Sequence, residues 1–296
     1  MITPRPFAAI VLALCAGFAA EPACARESGQ SASSDPTREP LSTPSEDGVD
    51  LDRADAFSIR VDPAVWLPAL RGDIGVGTSN TFDVETINAD EIEPTPSGNF
   101  TIRSGDLVID FNGFGVGISE TERADRSFAV GGVAVPAGAD VDFDLDITSF
   151  ELTVGHRVWS GPGGVNDPEL EVSRGSELDL WLDAYVGVRS YDIDAEFSAP
   201  VSTRGDIEDV HAIVGIALNM DLPRGFGMHL SADIGGGGDG TSGDITVAFD
   251  YEVADNAALL IGFRNLTTDI DGDGGRNDLE FDATLAGLFA SLSIRF

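Results

Sequence analysis

Alternation constrains this chain more than any other feature. Between Leu178 and Tyr191 the even positions Leu178, Leu180, Leu182, Ala184, Val186 and Val188 are all apolar. The odd positions Asp179, Trp181, Asp183, Tyr185, Gly187, Arg189 and Tyr191 are mostly polar or aromatic. Successive side chains of an extended strand point to opposite faces, so this stretch has one apolar wall and one polar wall. The division recurs at Val210–Met220, with His211, Gly215 and Asn219 on the polar face, and at Met228–Ile234, with His229, Ser231 and Asp233. Between 244 and 252, Ile245, Val247, Phe249 and Tyr251 alternate with Asp244, Thr246, Ala248 and Asp250. No extended stretch carries helical periodicity, and Gly, Pro, Asn and Asp clusters separate the runs. The fold class is all-β.

Two runs change phase. Over 140–160 the apolar residues are odd from Val141 to Ile147 and even from Phe150 to Val158, His156 excepted. A β-bulge near Thr148-Ser149 would produce such a switch. A similar slip falls near Gly113 within 106–118. Adding 64–77, 98–104, 257–267 and 280–296 brings the count to about ten strands, with eight as the alternative.

The first 25 residues read as a secretory signal peptide, implying export through the Sec pathway. Arg5 supplies a positive start, Phe7 to Ala20 are largely apolar, and Ala23-Cys24-Ala25 offers a small-x-small cleavage site. Neither Cys15 nor Cys24 sits in a good lipoprotein context. Both cysteines of the chain lie in this segment, so residues 26–296 have no disulfide and no thiol chemistry. Residues 26–55 are rich in Ser, Pro, Asp and Glu and read as a disordered leader. The barrel candidate is 56–296. No later segment reaches the roughly 18–20 apolar residues that a spanning helix needs. With 51 acidic against 17 basic residues, all of them Arg, the net charge is −34. That disfavours nucleic-acid binding, which depends on neutralising phosphates with basic side chains.

The connections between strands alternate in length. The long ones are 78–97, 119–140, 192–208, 235–243 and 268–279. Between them fall Ser104-Gly105-Asp106, Asp221 to Gly225 and Ala254-Asp255-Asn256, with 161–177 as the exception. At the end of the chain Leu288, Ala290, Leu292 and Ile294 alternate with Phe289, Ser291, Ser293 and Arg295 before a terminal Phe296. This strand, together with Trp66-Leu67-Pro68-Ala69-Leu70 and Trp181 to Arg189, resembles the small porin-like outer-membrane β-barrels of Gram-negative bacteria over roughly residues 56–296. The resemblance implies a closed antiparallel transmembrane barrel, monomeric, with both termini periplasmic and acidic loops outside. It also implies that Phe296 serves as an assembly signal for the barrel-assembly machinery, and that the partners are outer-membrane lipid and lipopolysaccharide. The expected role is structural or passive diffusion of small solutes, without catalysis.

In such a barrel the polar faces line the lumen. Arg103, Asp110, Glu151, Arg157, Asp183, Arg189, Asp233 and Arg264 are then inward, and Arg71 and Arg295 are expected beside them. They form either a plugging ion network or a narrow pathway whose arginines set selectivity. Two further motifs give alternative functions. Residues 269–280 fit the D-x-D-x-D-G-x5-E calcium-loop pattern, with Asp269, Asp271, Asp273 and Glu280 as ligands for Ca²⁺ in a surface binding module. Arg276 stands where EF-hands resemble one another in carrying an aliphatic residue, and the flanks read as strands. The Asp209-Val210-His211 step, with Asp142, Asp144 and Asp146 placed across the barrel, loosely resembles the omptin protease arrangement, in which two carboxylates and an Asp–His pair activate a water. An omptin-like or lipid-modifying hydrolase is the corresponding expectation.

Overall fold

A computed structural model describes residues 57–76, 81–87, 92–130, 132–161, 178–199, 202–222, 224–238, 240–254, 256–272 and 279–296. The signal peptide and leader expected from the sequence, and the connection 162–177, lie outside these residues. Thirteen strands follow in chain order: β1 (Phe57–Val76), β2 (Phe82–Asp83), β3 (Thr95–Ser104), β4 (Leu107–Arg123), β5 (Phe128–Val130), β6 (Val133–Val135) and β7 (Asp140–Ser160). They continue with β8 (Asp179–Ser198), β9 (Ser202–Leu222), β10 (Phe226–Gly236), β11 (Gly240–Ala254), β12 (Ala257–Asp271) and β13 (Leu279–Arg295). A short 3₁₀ turn, Val84–Ile87, follows β2.

Ten of these strands pair in sequence order and close on themselves through β13 and β1, all antiparallel. Strands β2, β5 and β6 belong to the long connections at one end. The tight turns lie at the other. One of them, Ser104-Gly105-Asp106-Leu107, places Gly105 at a φ of 57°, a left-handed position that glycine adopts without steric cost.

The outward apolar residues form an unbroken belt. Val154 faces Val186, Val186 faces Val214 and Val214 faces Ile234 on successive strands. On the other side Leu230, Val247, Phe263, Leu288 and Leu67 stand opposite one another in the same way. Val186, Ile234, Ile261 and Leu288 are each about 60–70% exposed in the isolated chain. A water-soluble protein does not leave so large an apolar surface open. The belt therefore meets lipid, and this is a transmembrane β-barrel.

Above the belt the chemistry of both faces inverts while the alternation continues. On β7 the odd residues face inward as far as Arg157: Val141, Phe143, Leu145 and Ile147, then Ser149, Glu151, Thr153 and Arg157. The even ones face outward: Asp142, Asp144 and Asp146, then Phe150, Leu152, Val154 and His156. The register with β4 runs without interruption from Leu107↔His156 to Arg123↔Asp140. The bulge expected at Thr148-Ser149 and the slip expected near Gly113 are therefore absent. Each apparent phase change marks the height at which lipid gives way to water. The irregularity that β7 does carry lies at Arg157/Trp159, where it pairs with β8.

The same inversion shortens the expected loops. Much of 192–208 is strand, because β8 runs to Ser198 and β9 begins at Ser202. Residues 192–198 carry the wall about 18 Å beyond the belt at ordinary strand rise and tilt. Inside this taller section lies a packed apolar core. Leu70, Ile74, Ile193 and Ile270 are fully buried there, and Phe82, Val84 and Ile87 of the first long connection drop in among them. Aromatic edge contacts join Phe82 to Phe197 at 4.9 Å, and Phe143 lies 4.7 Å from Phe197. This half is built like a soluble barrel, apolar within and acidic without.

Candidate functional site in the lumen

Below the apolar core the inward side chains are polar, and they stack in three levels. At the short-turn end Asp183 is the hub. It accepts from Arg103 Nη2 at 2.9 Å and from Asn219 Nδ2 at 3.3 Å, with Arg157 Nε at 3.7 Å. Arg157 also stacks over Trp181 at 4.9 Å. On the opposite wall Thr101 donates to Asp110, and Arg60 pairs with Asp62 at 3.0 Å.

The middle level is organised by Arg189, whose side chain is wholly buried. Its Nη2 donates to Glu151 at 2.6 Å and Asp233 at 3.0 Å, with Asp244 at 3.4 Å. Its Nε donates to the same Glu151 oxygen at 2.8 Å. Arg264 closes the level from the far wall. It donates from Nε to Asp244 at 2.8 Å and from Nη1 to Asn112 at 3.1 Å. Its guanidinium also lies 5.1 Å from the Phe114 ring and 5.5 Å from the Trp66 ring, which ties the ionic level to the core above. Gly215 gives the Tyr185 ring its room, since a Cβ there would lie 2.6 Å from the Tyr185 hydroxyl oxygen. That hydroxyl donates to Asp233 at 3.3 Å.

Glu151, Asp233 and Asp244 bring carboxylate oxygens within 4.8 Å of one another, a grouping that could ligate a metal ion. Arg189 already supplies the cation at its centre. Three carboxylates against the two guanidiniums of Arg189 and Arg264 leave this level one negative charge in excess.

The third level lies just under the core. His211 is completely buried, with Nε2 2.8 Å from Asp209 Oδ2 and Nδ1 2.8 Å from Ser242 Oγ. Its ring meets Tyr191 edge to face at 5.1 Å. Both ring nitrogens are thus committed to protein groups, and a general base needs hydrogen-bond reach to a substrate. The carboxylates expected opposite it are elsewhere. Asp142 and Asp144 face outward, accepting from Thr121 at 2.8 Å and from Ser119 respectively, and Asp146 shares their face. The water-activating arrangement suggested by Asp209-Val210-His211 is not assembled.

All eight residues expected to line the lumen, from Arg103 to Arg264, face inward. Arg71 does not. It is exposed on β1 between the inward Leu70 and Ile74, and Arg295 sits exposed at the short-turn rim. Asp244, Tyr185 and Asn112 complete the network, and the sequence does not single them out. Asp244 shares the parity of Asp250 on β11, and that signal is sufficient to find it.

The calcium-loop pattern divides between two strands. Asp269 and Asp271 are exposed in extended β12, and Glu280 is exposed in β13 directly opposite Asp271. Asp273 lies outside the described residues. The first three residues of the motif, Asp269 to Asp271, are extended strand. Asp269 faces Asp282, Asp282 faces Asp73, and Asp73 faces Asp83, four carboxylates in one lateral row. A second row runs Asp146, Asp194, Asp206.

No protein-family model matches the sequence, and no curated protein sequence matches it either. Among solved structures it is similar to the outer membrane protease OmpT from Escherichia coli, at 12% identity and a TM-score of 0.41, covering 81% of this chain and 98% of that one. It is also similar to Neisserial surface protein A, at 11% identity and a TM-score of 0.30 over 81% and 97% of the two chains. Ail, the attachment invasion locus protein of Yersinia pestis, matches at 8% identity and a TM-score of 0.33 over 82% and 99%. These are outer-membrane proteins, and at such identities no residue role transfers from them.

Proposed function

We propose that this chain is a closed, non-conducting outer-membrane barrel whose role is structural: it anchors an acidic, membrane-projecting wall at the cell surface. One observation carries the reading. The lumen is blocked twice over, by the ion network centred on Arg189 and by the apolar core above it, which leaves passive diffusion without a path. Planar-bilayer recording of the reconstituted protein tests this. Silence across the usual range of voltages is expected, and discrete conductance steps would restore the diffusion role.

The short turns point to the periplasm and the tall acidic end to the exterior, as in outer-membrane barrels. Phe296 pairs through both backbone groups with Ile59, its N–H donating at 2.8 Å and its carbonyl accepting at 3.1 Å. Its ring projects outward at the edge of the belt, where the assembly machinery could read it. The outward carboxylate rows favour contact with divalent cations, Ca²⁺ or Mg²⁺, bridging to lipopolysaccharide phosphates. Like charges directly opposite on neighbouring strands each destabilise a sheet by about 0.2–1 kcal/mol. Chelation of vesicles containing lipopolysaccharide should therefore lower the melting temperature, and either ion should restore it. A melting curve indifferent to chelator would show that no bridging cation is held there.

A further inference from the structure

The neighbouring strands β12, β13 and β1 present their outward side chains in lateral rungs whose chemistry changes with height. Phe263, Leu288 and Leu67 form a rung of the apolar belt. One rung higher are the short side chains Asn265, Ala286 and Ala69, and above them Thr267, Thr284 and Arg71. The next rung is the carboxylates Asp269, Asp282 and Asp73. Ile261, the most exposed large apolar residue of β12, marks the middle of the belt. Thr267 lies six residues beyond it, about 15 Å higher at ordinary strand rise and tilt. The apolar band of such barrels reaches about 12 Å to either side of its middle, so the rung of Arg71 is at the height of the lipid headgroups.

Arg71 differs from the other described arginines of the projecting end. Arg123, Arg126 and Arg204 are held by Asp140, Asp83 and Asp194 at 3.0, 3.2 and 2.7 Å. Arg71 is exposed and bonds to none of the described residues. Thr284, directly opposite it, shares a hydroxyl hydrogen bond with Thr267 at 3.1 Å. On the far wall the same step in height carries no cation: the rung Phe150, Ser190, Val210 is followed directly by Thr148, Asp192, Glu208. A chain of net charge −34 repels phosphate over most of its surface, so an anion lying against the wall needs a local cation.

We propose that the rung of Arg71, Thr284 and Thr267 binds the phosphorylated headgroup of an outer-leaflet glycolipid, lipopolysaccharide. The Arg71 guanidinium donates to the phosphate, and the two hydroxyls serve its remaining oxygens or the adjoining sugar. The acyl chains run down past the short Ala69 and Ala286 onto the apolar rungs below. That continuity with the belt selects a lipid over a free anion. A divalent cation at the carboxylate rung, about 7 Å further along the strands, meets the same headgroup from above. The site rests on the lipopolysaccharide contact already proposed and adds to it a direct bond that needs no bridging ion.

Calorimetric titration of the refolded barrel with lipopolysaccharide, in non-ionic detergent and Mg²⁺, tests the site. Heat-shifted gel mobility verifies that each variant is folded. Arg71→Gln should bind about tenfold more weakly than the parent, the size of one lost charged hydrogen-bonding group. Arg204→Gln, whose arginine is already held by Asp194, should bind as the parent does. Lipopolysaccharide stripped of its lipid phosphates should not distinguish Arg71→Gln from the parent, and excess inorganic phosphate should not displace the lipid. Equal affinities for the parent and Arg71→Gln overturn the site. An equal loss for Arg204→Gln also overturns it, by reducing the effect to net charge. A loss that persists with the stripped lipid removes phosphate from the contact, and displacement by inorganic phosphate removes the lipid. Melting of Arg71→Gln with and without chelator separates this site from the carboxylate bridge. A drop on chelation together with unchanged lipid affinity leaves the bridge standing and eliminates the arginine alone.

Discussion

Replacing Arg189 with Met should cost the barrel about 3–5 kcal/mol, the usual penalty for stranding a buried charge by removing its partner. Glu151, Asp233 and Asp244 would then face each other with Arg264 as their remaining local cation, bonded to Asp244 alone. Equilibrium urea unfolding in lipid vesicles, read by tryptophan fluorescence, measures the loss. The cause is separable from lost packing. Adding Glu151→Gln and Asp233→Asn to Arg189→Met should recover most of the stability, because the unpaired charges are gone and side-chain volumes barely change. Arg189→Lys should fall between, since an ammonium cannot reproduce the fork that spans two walls. A loss below about 1 kcal/mol for Arg189→Met would mean that the level is held together by something else.

The second large effect arises from the inversion of the wall. Ile261→Arg, in the belt on β12, should cost about 2–4 kcal/mol, as a cation near the bilayer midplane does on a transmembrane barrel. Thr267→Arg lies six residues further along the same strand and on the same outward face. It stands among Thr284 and the acidic residues of the projecting section, so its cost should stay within about 0.5 kcal/mol. Both substitutions place an arginine on the same strand and the same outward face, at two heights. Equal costs would place the lipid boundary elsewhere.

That boundary also explains what can be read from the sequence and what cannot. Period two identifies the strands of the barrel, because the pleat forces alternation whatever surrounds it. The eight lumen residues are legible for the same reason. What period two does not state is which face is inside. Equating apolar residues with lipid along the whole strand makes Val141 to Ile147 require a bulge to reconcile them with Phe150 to Val158. In fact both sets keep their parity, and the medium outside changes. The same assumption ends β8 at Tyr191, where Asp192, Asp194 and Glu196 resemble a loop. Arg71 is misplaced when an arginine near a strand is assigned to the polar lumen, because at its height the lumen is apolar. His211 and Asp209 are visible as neighbours on one face, two residues apart. Ser242 is not, since it reaches His211 from β11, past the bare backbone of Gly235 on β10.

The seam between β1 and β13 has a consequence for how such a molecule is made. Ser291 donates to the carbonyl of Pro63 at 2.9 Å across 228 residues of sequence, and Phe296 and Ile59 exchange a reciprocal pair of hydrogen bonds. Hairpins such as β8–β9 can zip locally as soon as they emerge, but this last ladder joins the earliest strand to the latest. Contacts of such separation form slowly, because the chain must lose the entropy of a very large loop first. Until that moment β1 and β13 both carry open edges capable of pairing with another chain. The lifetime of the nearly finished, still-open cylinder should therefore dominate both its folding rate and its exposure to aggregation.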